Sequence, residues 1–208
     1  MFISFEGLDL CGKTTQSHLL VERLTSLGKQ VVYLREPGGT AISEKIRDIL
    51  LDLRHSEMSA KAELFLFSAA RTQLVSQVIK PAVQQGKIVI CDRFYDSTTA
   101  YQGYGRGIKL EEIHAINRIA TDGTIPDLTL FISVPLDEIL RRQKIKKGID
   151  RMESSGIQFY ERVLNGFNAM AETEPNRFVV IDGMPAKESV HNTIWNIIQQ
   201  LMLKHHGV

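Results

Sequence analysis

Five short apolar runs alternate along the chain with longer helix-like segments. The runs are nearly continuous in valine, isoleucine, leucine and phenylalanine, as strands buried on both faces require. Each segment between them is long enough to be a helix that crosses from one strand to the next. The pattern therefore predicts an α/β fold with a five-stranded parallel sheet flanked by helices. The predicted strands cover residues 1–6, 30–34, 87–92, 127–134 and 177–182.

The size and composition of the chain fit one globular domain. It has 208 residues, 43% of them hydrophobic, and its 25 basic and 24 acidic residues leave a formal charge of +1. Nucleic-acid-binding proteins more often carry a basic surplus, so we expect no nucleic-acid partner. We expect no membrane partner either, because no run of about 18 apolar residues is present. Two cysteines and the lack of a signal-peptide pattern predict a cytoplasmic protein.

The stretch GLDLCGKTT, residues 7–15, joins the first predicted strand to a helix. Gly7, Gly12, Lys13 and Thr14 match a Walker A motif in its expected context. In such a loop, backbone N–H groups curl around a polyphosphate, and the helix start adds a partial positive charge. The lysine can reach the β- and γ-phosphates, and the threonine hydroxyl can bind Mg²⁺. A nucleoside triphosphate site is therefore predicted from Gly7, Leu8, Asp9, Leu10, Cys11, Gly12, Lys13, Thr14 and Thr15.

Asp9 is unusual within this loop, because bound polyphosphate repels a carboxylate. It is either a solvated loop carboxylate or a group that faces a second substrate, such as a hydroxyl or a metal-bound water. The loop by itself leaves both alternatives open.

Two further segments carry side chains that suit a nucleotide. Glu36 and Pro37 follow the second predicted strand, where open α/β sheets bind ligands, and the carboxylate could meet a metal-bound water. Phe67 and Arg71 lie four residues apart in a predicted helix over 63–74, so they share one face. A ring and a guanidinium suit stacking on a base and a charged hydrogen bond. The alternative is a core phenylalanine and an arginine in a structural ion pair.

The segment that follows the third predicted strand is rich in polar groups. Asp92 ends that strand opposite the Walker A loop, where a Walker B-type acid would hold Mg²⁺. Arg93 could clamp a transferring phosphoryl group. Four more hydrogen-bonding side chains follow within six residues: Ser97, Thr98, Tyr101 and Gln102.

The stretch over about residues 141–156 is strongly basic. Its cations are Arg141, Arg142, Lys144, Lys146, Lys147 and Arg151. A charge run is usually a solvated face. Phosphoryl transfer, however, needs cations over the moving group and exclusion of water, and a mobile basic lid would supply both. We therefore predict a small lid within a single domain spanning residues 1–208.

Taken together, these motifs resemble the thymidylate kinase family nearly from end to end. The matching pieces are FEGLDLCGKTTQ, REPGGT, LFLFSAAR, DRFYDSTTAYQG, PDLTLFI and DRMESSGIQFYERV. The resemblance implies a P-loop NTPase fold, Mg²⁺-dependent phosphoryl transfer from ATP to dTMP, and a homodimer. It also implies the bacterial type of the family, because the variable P-loop positions 8–11 carry no basic residue and the lid must then provide one.

The resemblance further implies individual roles. Phe67 would stack on thymine with Arg71 near the base, and Tyr101 would crowd the 2′ position. Arg93 would hold the dTMP phosphate, and Asp9 would face dTMP rather than ATP. The other substrate-binding residues would be Glu36, Pro37, Ser97, Thr98 and Gln102, with Thr14 and Asp92 at the metal. Catalysis would rest on Lys13, Arg93, Asp9, Arg142 and Arg151.

The chain departs from the family pattern at two places. The lid is rich in lysine where many members are rich in arginine, and a lysine lacks the bidentate fork of a guanidinium. Leu10 and Cys11 replace small residues in the P-loop. Because Cys11 would lie beside the phosphates, we hypothesise that thiol reagents inhibit the protein.

Three alternative functions remain open on the sequence. The chain could be a small kinase for another monophosphate or for a deoxynucleoside. It could be a nucleotide switch such as a GTPase, although it lacks the N-K-x-D guanine signature. It could also be an interaction protein that has lost activity, although Lys13, Asp92 and Arg93 are intact.

Overall fold

The computed structural model of the protein describes residues 1–145, 148 and 150–206. These residues form one five-stranded parallel sheet with the strand order β2-β3-β1-β4-β5. The predicted fold class is confirmed, and each predicted strand is present within two residues of its predicted ends. The strands are β1 (Phe2–Glu6), β2 (Val31–Arg35), β3 (Ile88–Asp92), β4 (Leu128–Ser133) and β5 (Phe178–Asp182).

Helical segments connect the strands. The α-helices are α1 (Lys13–Ser26), α2 (Ala41–Leu51), α3 (Ala60–Leu74), α4 (Lys80–Gln84), α5 (Tyr95–Thr98), α6 (Leu110–Thr121), α7 (Leu136–Gln143), α8 (Ile157–Thr173) and α9 (Lys187–His206). Two π-helical segments, Val75–Ile79 and Thr99–Gly105, continue α3 and α5. Short 3₁₀ turns cover Leu53–His55 and Glu153–Ser155. The side chains of Thr40 and Ser59 cap α2 and α3 by accepting backbone N–H groups, which fixes where both helices begin.

The central strands β1, β3 and β4 are buried on both faces, as their apolar sequences require, whereas the edge strands β2 and β5 are partly exposed. Successive side chains of β3 point to opposite sides of the sheet. Ile90 belongs to the core that also contains Leu20 of α1, whereas Val89 belongs to the core that contains Leu74 of α3. Helices therefore cover both faces, and the functional loops lie at the strand ends.

The register of the central strands brings three loops to one edge of the sheet. Phe5 of β1 and Arg35 of β2 are both paired with Asp92 of β3. The segments that follow these strands are the P-loop, the REPGGT loop and the turn at Arg93. Such an edge of carboxyl ends is where open parallel sheets bind ligands.

The charges of the predicted lid indicate a solvated stretch, but part of the lid is helical and part is buried. Helix α7 extends into it as far as Gln143, and Lys146 and Lys147 lie outside the described residues. Arg151 and Met152 are each only 6% exposed, because they pack against the body of the protein. Across the described ranges, no helix is both long and apolar enough to cross a membrane.

Candidate active site

The P-loop adopts a backbone conformation that its glycines make possible. Gly7 has a φ of 138°, and a Cβ at this position would lie 2.6 Å from the carbonyl oxygen of Ile132. Gly12 has a φ of 100° and directly precedes α1. These are positions that only glycine occupies without strain. The strand–loop–helix arrangement predicted for residues 7–15 is therefore present.

Asp9 lies between two cations at the mouth of this loop. Its Oδ1 accepts a hydrogen bond of 2.7 Å from Arg93 and lies 3.4 Å from Nζ of Lys13. Burial alone would raise the pKa of the Asp9 carboxyl, but Arg93 and Lys13 outweigh this effect and hold the pKa well below its usual range. The carboxylate is thus ionised and paired, and it links the P-loop to the turn after β3.

Arg93 is held in an uncommon backbone conformation. Its φ of 72° lies in the left-handed region, which arginine seldom adopts. Its guanidinium donates to Ser97 Oγ at 3.0 Å and to the Tyr101 hydroxyl at 3.3 Å. Local strain of this kind persists where the surroundings fix the residue, and it is concentrated at functional sites.

A first cleft, of about 580 Å³, opens beside Asp9 and Arg93. All nine residues predicted to bind substrate line it: Glu36, Pro37, Phe67, Arg71, Arg93, Ser97, Thr98, Tyr101 and Gln102. The structure therefore brings together side chains from the REPGGT loop, α3 and the segment after β3. An aromatic wall and several polar groups in one concave site suit a ligand with a planar ring.

Arg71 forms the structural ion pair that was one of the two alternatives, and it also lines the first cleft. It is 2% exposed, and its Nε donates to Glu36 Oε2 at 2.7 Å while another nitrogen donates to Thr98 Oγ1 at 2.8 Å. Arg71 therefore forms a buried ion pair and also forms part of the cleft wall. Phe67 likewise packs against the core and lines the cleft.

Four residues of the first cleft were not predicted from the sequence. Arg47, Leu51, Asp150 and Met152 also line it. Arg47 projects from α2 and donates a 3.0 Å hydrogen bond to the carbonyl of Pro37. Nothing in its local sequence distinguishes Arg47 from a solvated helix arginine, because its place depends on how α2 packs against the REPGGT loop.

Thr14 and Asp92 lie together, as a metal site at the P-loop requires. The Thr14 hydroxyl donates to Asp92 Oδ2 at 2.5 Å. Within the described part of the chain, Asp92 Oδ1 is buried and has no hydrogen-bond partner. No cluster of three or more His, Cys, Asp or Glu side chains that could hold a metal occurs among the same residues. Thr14 and Asp92 therefore fit a Mg²⁺ ion that takes its remaining ligands from phosphates and water.

A second cleft, of about 590 Å³, lies on the other side of the P-loop. Its lining includes Cys11, Gly12, Thr15 and Gln16, and the loop before α9 contributes Gly183 and Pro185. Arg142 also lines this cleft, donating to the carbonyl of Leu10 at 2.9 Å and to Glu138 at 2.7 Å. The structure thus places one predicted lid cation directly on the P-loop.

Arg151, the other lid cation predicted to be catalytic, binds neighbours outside the P-loop. Its guanidinium lies 2.7 Å from Glu63 and donates to the carbonyl of Leu50 at 2.7 Å and to the Met152 sulfur at 3.4 Å. All three nitrogens are engaged by these neighbours rather than by the P-loop. Arg151 therefore anchors the end of the lid in this arrangement, and its role toward the transferred phosphate stays a prediction.

Cys11 is inaccessible although it belongs to the P-loop. The residue is 2% exposed, and burial raises the pKa of its thiol despite the nearby Lys13. Because the thiolate is the reactive form, this environment argues against the hypothesis that thiol reagents inhibit the folded protein.

The fold and the site together define a class of protein. A phosphate-binding loop between β1 and α1, with a buried acid at the end of the adjacent strand, is the architecture of a P-loop phosphotransferase. The family model that describes thymidylate kinase matches residues 5–194. The chain therefore belongs to the thymidylate kinase family.

Individual relatives agree with this assignment. The thymidylate kinase of Chlorobaculum parvum is 44% identical over 216 residues, covering 100% of this chain and 99% of the relative. That of Prosthecochloris aestuarii is 46% identical over 207 residues, covering 95% of this chain and 92% of the relative. The crystal structure of thymidylate kinase from Ehrlichia chaffeensis superposes with a TM-score of 0.79 at 40% identity, covering 96% and 98% of the two chains.

Proposed function

We propose that the protein transfers the γ-phosphoryl group of ATP to dTMP, with Mg²⁺, forming ADP and dTDP. The observation that carries this proposal is a pair of salt bridges in which Asp9 contacts both Lys13 and Arg93 and so joins the P-loop to the first cleft. Lys13 suits a donor phosphate in the P-loop, and Arg93 suits an acceptor phosphate in the cleft. Family membership supports dTMP as the acceptor.

The residues of the first cleft divide the recognition of dTMP between them. The ring of Phe67 faces thymine with Arg71 near the base, and Arg93 binds the acceptor phosphate. The buried Tyr101 ring, 5.1 Å from the Arg93 guanidinium, leaves little room for a 2′ hydroxyl. Ser97, Thr98 and Gln102 complete the thymidine pocket.

The chemistry needs positioning and charge neutralisation rather than a covalent intermediate. An oxygen of the acceptor phosphate is already anionic, so it attacks the γ-phosphorus of ATP without a strong general base. The bond from that phosphorus to the bridging oxygen breaks, and ADP carries the bonding electrons away. Lys13 and Arg93 stabilise the spreading negative charge, and Arg142 lies close enough to the P-loop to add a third positive charge.

Thr14 and Asp92 would hold Mg²⁺ on the donor side. When bound there, the ion neutralises the charges of the β- and γ-phosphates. The hydrogen bond from Thr14 to Asp92 keeps both oxygens at the start of α1, where the phosphates also bind.

We further propose a homodimer and a cytoplasmic location. Three apolar side chains of α2 and α3 are exposed to solvent: Ile42 is 55% exposed, Ile49 43% and Phe65 59%. The two isoleucines are seven residues apart and share a helix face, which a second copy of the chain can cover. Both cysteines are free and buried, which suits a reducing compartment.

The function is tested by measuring ADP formation from ATP–Mg²⁺ with dTMP, dUMP, dCMP, UMP, AMP and GMP in turn. We expect a clear preference for dTMP and no turnover without Mg²⁺. Lys13→Ala is the matched control, because it keeps the first cleft and removes the donor-side cation. Preference for another monophosphate would retain a kinase but refute the thymidine pocket, and slow acceptor-independent hydrolysis of GTP would support a nucleotide switch.

A further inference from the structure

Glu63 is a buried carboxylate behind the first cleft that no motif of the sequence singles out. It lies in the first turn of α3 and is 1% exposed. Its Oε1 accepts from Gln102 Nε2 at 2.9 Å and from Arg106 Nε at 3.0 Å, and its Oε2 accepts from a second Arg106 nitrogen at 3.0 Å. Arg151 approaches Oε2 to 2.7 Å. One carboxylate therefore holds a cleft residue, a neighbouring arginine and the end of the lid.

The two arginines keep Glu63 ionised. Burial alone would raise the pKa of Glu63, but the hydrogen bonds from Arg106, Gln102 and Arg151 together lower it below its ordinary value. An ionised carboxylate has no proton to donate and can only accept hydrogen bonds. The group that Gln102 turns towards Glu63 must therefore be its NH₂.

The orientation of the Gln102 NH₂ also determines where its carbonyl oxygen lies. The oxygen and nitrogen of a glutamine amide have nearly the same shape, so only the surrounding hydrogen bonds decide which way it faces. With one N–H of its NH₂ bonded to Glu63, Gln102 keeps its carbonyl oxygen available to the first cleft, which it lines. The cleft then presents an acceptor at this position.

We infer that Glu63 is a positioning residue that sets base specificity by locking the Gln102 amide with its carbonyl oxygen towards the base. The inference rests on the proposed function, in which the first cleft binds a pyrimidine monophosphate. Thymine carries a hydrogen on N3 and can donate to this oxygen, whereas N3 of cytosine is an acceptor and would face it unpaired. A buried polar atom left unpaired costs about 1–3 kcal/mol, which corresponds to roughly 5-fold to 150-fold in kcat/KM.

The test compares kcat/KM for dTMP with kcat/KM for dCMP in variants of Glu63. Glu63→Gln offers an NH₂ as well as an oxygen, so the Gln102 amide can turn over and present its NH₂ to N3 of cytosine. We expect the preference for dTMP to fall by about tenfold or more, within the range set by an unpaired buried atom. Glu63→Asp keeps an acceptor-only group and is expected to retain the preference.

A charge-matched variant separates amide orientation from charge balance. Glu63→Gln leaves the buried Arg151 and the partly buried Arg106 without their carboxylate, which alone can unfold the protein. The double variant Glu63→Gln/Arg151→Gln removes one positive and one negative charge, so the cluster keeps its net charge. Arg151→Gln alone keeps Glu63 paired with Arg106 and serves as the control.

The outcomes are distinct. Loss of discrimination in the double variant, with discrimination retained in Arg151→Gln and Glu63→Asp, supports the inference. An unchanged dTMP/dCMP ratio in the folded double variant overturns it, and so does an equal loss in Arg151→Gln, which would point to the anchored lid instead. If the unmodified protein itself does not prefer dTMP, the proposed function fails first.

Discussion

The carboxylate of Asp9 bonds to the guanidinium of Arg93 at 2.7 Å, although the two residues are 84 positions apart in the chain. The same oxygen lies 3.4 Å from the ammonium of Lys13. A P-loop acid thereby holds one cation on the donor side and one on the acceptor side. Asp9 is therefore a paired carboxylate rather than a solvated one, and its facing a second substrate stays a prediction.

Replacing Asp9 by Asn should therefore reduce turnover more than it changes acceptor binding. Without the carboxylate, Lys13 and Arg93 lose the charged group that links them as charge develops, and we expect kcat to fall by about 100-fold. The KM for dTMP should change only a few-fold, since the Phe67 and Arg71 contacts remain. Steady-state kinetics measure both quantities. Asp48→Asn, at an exposed position of α2, is the control; an unchanged kcat in Asp9→Asn would contradict this role.

The Arg71–Glu36 pair should be important for stability as well as for the site. Arg71→Gln leaves Glu36, which is 4% exposed, as a buried carboxylate without a counter-charge. We expect a loss of about 3–5 kcal/mol in the free energy of unfolding, measured by urea denaturation. Arg54→Gln is the matched control, because its pair with Asp52 lies on the surface, where solvent screening leaves it little effect on stability. Equal losses of unfolding free energy in Arg71→Gln and Arg54→Gln would show that burial does not make the Arg71–Glu36 pair more important for stability.

Glu6 should make stability depend on pH. This carboxyl accepts from the Phe94 N–H at 2.7 Å and from the Ser97 hydroxyl at 2.5 Å. Burial, aided by the nearby Asp96, raises the pKa of Glu6 from 4.5 to about 8. The folded protein therefore keeps a proton here that the unfolded chain releases. The stabilisation is complete below about pH 4.5 and is lost as the pH rises through about 8.

Urea denaturation of the unmodified protein and of Glu6→Gln across this pH window tests the effect of Glu6. The variant cannot titrate at this position, so its stability should fall less from about pH 5 to about pH 8. Glu172→Gln, at an exposed position of α8, should follow the unmodified protein. Parallel pH profiles for the unmodified protein and Glu6→Gln would show that Glu6 does not titrate in this range.

Cys11 should react slowly with thiol reagents while the protein is folded. Burial raises the pKa of its thiol, and Cys91, which is fully buried, has its pKa raised further. The raised pKa reduces the fraction of thiolate, and burial blocks access of the reagent. We expect labelling by a chromogenic disulfide to be slow in buffer and fast in denaturing urea. Labelling of Cys11 in buffer at the rate of a free thiol would restore the hypothesis of a sensitive P-loop.

The sequence by itself determined the fold and the chemical character of the site. Continuous apolar runs specify doubly buried strands, and the strands formed where these runs occur. The Walker A spacing specifies a local backbone conformation, and Gly7 and Gly12 adopt the left-handed φ values that this conformation needs. Because parallel strands end at a common edge, the loops after β1, β2 and β3 were also expected to meet. Interactions of this kind depend on residues close in sequence or on a repeating pattern, so they can be predicted without the fold.

Only the tertiary structure decided which charged groups pair with each other. Arg151 belongs to a basic stretch that suits a phosphate, yet its guanidinium lies against Glu63, 88 positions earlier in the chain. Arg47 reaches the first cleft because α2 packs beside the REPGGT loop, and Cys11 is buried because it belongs to an apolar core built from several elements. A side chain's charge is fixed by its type, but its partner and its exposure are set by elements distant in sequence. The sequence thus determined which groups the site contains, and packing determined which of them face the substrate.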